Sequence, residues 1–176
     1  GNGFNDVTVG KYAFSGCSSL SDIVLEPGSR LTVLDEGAFY GCAITEFEIP
    51  ATTTSIGRYA FYGCGSLTKL SFADGGKPLT FGEEAFAGCY SLKSVHIPAN
   101  VSEIPGVFSG CTTLTGITID EDNPYFESED GVVFNKGRTE IVFFPMGKLG
   151  EYTLPTTVTS IASGVFSFVT GITKLT

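Results

Sequence analysis

The sequence predicts a repeat solenoid, on two observations. One octet of residues recurs five times at a nearly fixed period, and a short strand pattern follows each copy. The octets are AFSGCSSL from Ala13, AFYGCAI from Ala38, AFYGCGSL from Ala60, AFAGCYSL from Ala85 and VFSGCTTL from Val107. Their phenylalanines, Phe14, Phe39, Phe61, Phe86 and Phe108, are spaced alternately 25 and 22 residues apart, and so are Cys17, Cys42, Cys64, Cys89 and Cys111. A unit of that length cannot close its own core and must stack on its neighbours.

The strand segments are LSDIVL (20–25), ITEFEI (44–49), LTKLSF (67–72), LKSVHI (92–97) and LTGITI (114–119). Their alternation gives a half-buried strand, so stacked coils should align them as a parallel sheet on one face. The octet itself reads as a short helical turn on the other face. Gly16, Gly41, Gly63, Gly88 and Gly110 stand where a left-handed residue would end that turn. A sixth coil, GVFSFVTGI (164–172), keeps Phe166 but carries Phe168 in place of the glycine and Val169 in place of the cysteine. A column that accepts valine needs a small apolar filler, so the thiols read as packing: reduced and buried.

Residues 120–151 break the period. Asp130-Gly131 and Lys136-Gly137 lie between apolar runs, which predicts a three-stranded β-meander inserted in a single solenoid spanning 1–176. The run DEDNP (120–124) supplies Asp120, Asp122 and Asn123, with Glu127, Glu129 and Asp130 beyond it. Pro124 occupies the fifth position of a calcium-loop template, however, so no metal site is expected. The chain opens and closes in mid-coil, and reads as an internal piece of a longer protein.

Composition narrows function. A formal charge of −9 opposes nucleic acid and anionic membrane surfaces. No apolar run is long enough to insert directly in a bilayer. The one histidine, His96, lies on a solvent-facing strand position beside Ser71 and Thr118, with no cysteine on that face to activate. No phosphate loop, zinc spacing or nucleophile motif is present, so neither catalysis nor a cofactor is expected.

AFxGCxSL, IPxxVxxI and the cassette YFESEDGVVFNKGRTEIVFFPMGK resemble the BspA-like leucine-rich repeat family of bacterial surface proteins. The resemblance covers nearly the whole chain. It implies a right-handed leucine-rich-repeat coil, a cell-surface or extracellular location, and a protein ligand such as a host extracellular-matrix protein; it brings no catalytic residues. Such a ligand would meet the outward strand positions: Asp22, Val24, Glu46, Glu48, Lys69, Ser71, Ser94, His96 and Thr118. These differ in chemistry from coil to coil while the inward positions do not. A passive spacer presenting other domains, and a glycan-binding module, are the alternatives. Oligomeric state is left open by the sequence.

Overall fold

The computed structural model describes residues 5–104 and 106–176. Among them the chain forms no helix and fourteen short strands. These are β1 (Asp6–Val9), β2 (Arg30–Leu34), β3 (Glu46–Ile49), β4 (Ser55–Ile56), β5 (Lys69–Phe72), β6 (Thr80–Phe81) and β7 (Ser94–Ile97). They continue as β8 (Gly116–Ile119), β9 (Phe126–Glu129), β10 (Val132–Asn135), β11 (Glu140–Phe143), β12 (Gly150–Tyr152), β13 (Ser160–Ile161) and β14 (Ile172–Leu175).

They stack as a β-solenoid with parallel ladders between successive coils. One ladder runs β1-β2-β4-β6 and is prolonged by a bridge from Leu79 to Val101. A second side of each coil carries the strands of the repeat motif: β3 pairs with β5, and β7 with β8, all in parallel. The segment at 20–25, expected as the first of these strands, is irregular. Among the described residues no strand pairs with it, and the Thr45 N–H to Ser21 carbonyl bond (3.1 Å) marks its contact with the next coil.

The third side replaces the expected helical turns with a different hydrogen-bond scheme. In the third coil the N–H groups of Ala60, Tyr62 and Cys64 donate to carbonyls three residues back, on Gly57, Tyr59 and Phe61. The intervening N–H groups of Tyr59, Phe61 and Gly63 donate instead to Glu83, Ala85 and Ala87 of the next coil. Stacked coils offer a carbonyl to every second amide, so the ladder takes the donors that an α-helix would have used. The geometry needs left-handed residues four apart, here Tyr59 (φ 59°) and Gly63 (φ 69°). That is why glycine recurs in the octet. In the sixth coil Phe168 holds the same position at φ 62° with its side chain 84% exposed, a conformation unfavourable for a bulky residue.

The core is a column of rings. Phe39, Phe61, Phe86 and Phe108 are buried, with successive centroids 5.3, 5.0 and 5.6 Å apart. Phe14 continues the column 5.3 Å from Phe39 but is 42% exposed, and Cys17 beside it is exposed too. Both were expected in the core; they sit in the coil that has a neighbour on one side only.

Residues 126–143 form the antiparallel run β9-β10-β11, turning at Asp130-Gly131, where φ is 50° and 77°. Positive φ at both central residues is the hairpin geometry that favours Asp-Gly. Val132, Val133 and Phe134 of β10 are buried. Val133 joins the main core, whereas Val132 and Phe134 join a second one with Ile141, Phe144 and Tyr152. β11 then pairs in parallel with β13, and β12 with β14, so the meander occupies the place of a coil and hands the stack on. Phe166 closes this second core, half-buried and 4.6 Å from Phe144.

Candidate functional site: the exposed strand face

In β3 and β5 the register sets Glu46 beside Lys69 and Glu48 beside Ser71; in β7 and β8 it sets Ser94 beside Gly116 and His96 beside Thr118. Phe47, Leu70, Val95 and Ile117 alternate with them and point into the core. The face therefore carries two columns of solvent-directed side chains on a backbone fixed by the inward residues. Of the sequence-predicted positions, Glu46, Glu48, Lys69, Ser94, His96 and Thr118 are exposed, and Ser71 is half-buried. Asp22 and Val24 are exposed as well, Val24 at 79%, but they lie on the irregular segment rather than on a strand. There Val24 lines a cleft of about 530 Å³ together with Ile23, Phe47, Glu48 and Pro50.

The electrostatics are acidic with local pairing. Lys69 Nζ stands 3.6 Å from Glu46 Oε2, both well exposed, so the pair adds little stability and leaves both groups free to exchange partners. His96 Nδ1 is 3.0 Å from Thr118 Oγ1, and its Nε2 is 3.9 Å from Asp120 Oδ2. The Thr118 contact matches the neighbour that coil alignment assigns.

The cysteines do more than fill space. Cys42, Cys64, Cys89 and Cys111 are buried, and each Sγ donates to a phenylalanine carbonyl of the preceding coil: Phe14, Phe39, Phe61 and Phe86, at 3.0, 3.2, 3.5 and 3.2 Å. A valine fills the same volume without that weak bond. Burial pushes the Cys64 thiol up to about 12 and also raises Cys42. Cys89 is raised by its interaction with the Cys111 thiol and then by burial. At pH 8 the Cys64 thiol stays protonated. Iodoacetamide should therefore label Cys17 rapidly in the folded protein and the other four only on unfolding. Fast native labelling of Cys64 would show that its column is open to solvent.

Two features escaped the sequence reading. Thr45, Thr68 and Thr115 stand at the strand entrances, where each hydroxyl donates to a carbonyl of the coil below: Ser21, Thr45 and Lys93. Threonine after the leading aliphatic residue was the available signal. The other is Asn123, counted with the acidic run but fully buried. Its Nδ2 donates to the carbonyls of Pro98 (3.1 Å) and Val101 (2.9 Å), while its Oδ1 accepts from the N–H groups of Tyr125 and Phe126. It ties the entrance of the meander to the coil beneath.

Comparison with known proteins agrees with this architecture. The fold is similar to that of the pneumococcal vaccine antigen PcpA, with 29% identity, a TM-score of 0.85, and coverage of 97% of this chain and 44% of that one. It is also similar to a leucine-rich cell surface protein from Faecalibacterium prausnitzii A2-165, with 25% identity, a TM-score of 0.74 and coverage of 96% and 50%. A leucine-rich repeat protein from Bacteroides ovatus ATCC 8483 matches at 25% identity and a TM-score of 0.63, over 96% of this chain and 40% of that one. This chain thus spans half or less of each of these structures. Comparison with curated proteins gives no match. Residues 7–130 match the BspA type leucine-rich repeat region in six copies. The chain belongs to the BspA type leucine-rich repeat family.

Proposed function

We propose that this chain is a non-enzymatic recognition module of a bacterial surface protein, and that it binds a host or extracellular-matrix protein through the exposed strand face. The observation that carries this reading is the register of that face. Glu46, Glu48, Lys69, Ser94, His96 and Thr118 project from coils whose inward positions stay apolar, so chemistry varies outward while geometry is held constant. Rigid strands presenting varied side chains lower the ordering cost of association. Two of the similar structures, a vaccine antigen and a cell surface protein, support a surface location.

The test is capture of the protein by a panel of immobilised matrix proteins and glycans, repeated with the double variant Glu46→Lys/Glu48→Lys. Capture by a matrix protein should fall by roughly tenfold in the variant, because reversed charge opposes a complementary partner. Its melting temperature should stay within about 2 °C of the parent's, since exposed charges contribute little to stability. Undiminished capture by the variant would move the site off this face. Capture by no member of the panel would favour the spacer reading.

A further inference from the structure

The turn side of the solenoid carries a second exposed surface, built from tyrosine. Tyr40 and Tyr62 occupy the same position in successive coils, with rings stacked 5.0 Å apart and only 9° from parallel. Tyr59 meets Tyr62 edge-on at 5.4 Å. One coil further, Tyr90 lies against glycine backbone: a Cβ at Gly65 would stand 3.4 Å from its Cδ2, and one at Gly88 3.4 Å from its hydroxyl. The ring thus rests within van der Waals reach of both glycine positions and is left 58% exposed. Tyr40, then burial, Glu84 and Tyr90 hold the Tyr62 hydroxyl above its usual pKa, which keeps it a proton donor.

The chemistry of the strip selects its occupant. Aromatic faces attract cations, and planar guanidinium stacks on them better than ammonium does. The protein already makes such an arrangement within itself: Arg58 Cζ lies 4.4 Å over the Tyr59 ring while its Nη2 pairs with Glu83 at 3.1 Å. A net charge of −9 favours a cationic partner and repels anionic glycans. We propose that Tyr40, Tyr62 and Tyr90 form a docking strip for an arginine-bearing segment of a partner protein, with a guanidinium stacked on an exposed ring. Tyrosine gives large contact area at little entropic cost, which suits such a surface. The strip shares no residue with the strand face.

The probe is a fluorescein-labelled peptide of alternating glycine and arginine, compared with the same peptide carrying citrulline, which keeps the shape and removes the charge. Binding is read in about 150 mM NaCl, where charges more than about 8 Å apart are largely screened. Polarisation and tyrosine emission report it together, because the chain has seven tyrosines and no tryptophan. The arginine peptide should bind, and the citrulline peptide should bind roughly tenfold more weakly. Tyr90→Ala and Tyr62→Ala should each weaken the arginine peptide roughly fivefold. Circular dichroism checks that both variants remain folded, and Tyr90→Ala guards the test against a loss of packing at the half-buried Tyr62. Glu46→Lys/Glu48→Lys should stay within about twofold of the parent, so failure here and failure of the strand-face reading remain distinct. Equal binding of the citrulline peptide, unchanged binding by folded Tyr90→Ala, or no binding of the arginine peptide would overturn the proposal. Binding of cellohexaose that depends on Tyr90, in place of the arginine peptide, would overturn it in favour of a glycan site.

Discussion

Replacing Phe61 with alanine should destabilise the protein by about 3–5 kcal/mol, the usual range for deleting a fully buried aromatic ring. Phe61 is 0% exposed and stands between Phe39 (5.3 Å) and Phe86 (5.0 Å), with Phe47 at 5.1 Å. Its removal leaves a cavity that the neighbouring coils cannot close. Their spacing is fixed by the amide of Phe61 donating to Ala85 at 2.7 Å and that of Gly63 donating to Ala87 at 2.8 Å. Phe14→Ala offers the contrast: the same column position, but 42% exposed, and therefore a cost of about 1 kcal/mol. Denaturant titration of both variants checks the pair. Equal losses would mean that the column does not carry the core.

Asn123→Ala should cost about 3 kcal/mol, more than any surface substitution in the acidic run around it. Each hydrogen bond contributes only about 1 kcal/mol net, but the substitution removes four at once around a fully buried position. The Pro98 carbonyl keeps the Val101 N–H, whereas the Val101 carbonyl and the Tyr125 and Phe126 amides lose their side-chain partner. Asn123→Asp keeps the acceptor for Tyr125 and Phe126 and loses the donors to Pro98 and Val101, so it should also destabilise strongly, by burying a charge against carbonyl oxygens. Neighbouring Asp122→Ala, exposed, should change stability by less than about 0.5 kcal/mol. Hydrogen exchange at the Tyr125 and Phe126 amides is the local readout, and it should accelerate in Asn123→Ala. Unaltered protection there would show that the meander is anchored elsewhere.

The parts of this fold that are legible in the sequence are those that every coil must satisfy with the same residue. Phe61, Cys64 and Gly63 recur because a ring stack, a small buried group and a left-handed residue are each needed once per coil. Their spacing therefore reveals the solenoid. The turn geometry is not legible in the same way. Three-residue-back bonds and a left-handed glycine also describe the end of a helical turn, and the bonds that exclude a helix run to residues some 25 positions away. The segment at 20–25 is a different case: its pattern matches the others, yet it meets the next coil through the Thr45 N–H to Ser21 carbonyl bond without forming a ladder, and the structure gives no reason for the difference. Asn123 hides among carboxylates, with nothing local to mark it as buried. The tyrosine strip is visible as letters beside the phenylalanines. Only the coil register brings Tyr40 over Tyr62 and lays Tyr90 on its glycines.

In the proposed division of labour, the repeating residues build a scaffold and the outward strand positions recognise the partner. Amide resonance mapping tests it most directly, using the isotope-labelled protein and a fragment of whichever matrix protein captures it. The outward positions of β3, β5, β7 and β8 should perturb first, with Glu48, Ser71, His96 and Thr118 the leading signals. Perturbation confined to the meander or the turn column, with those four unmoved, would contradict it.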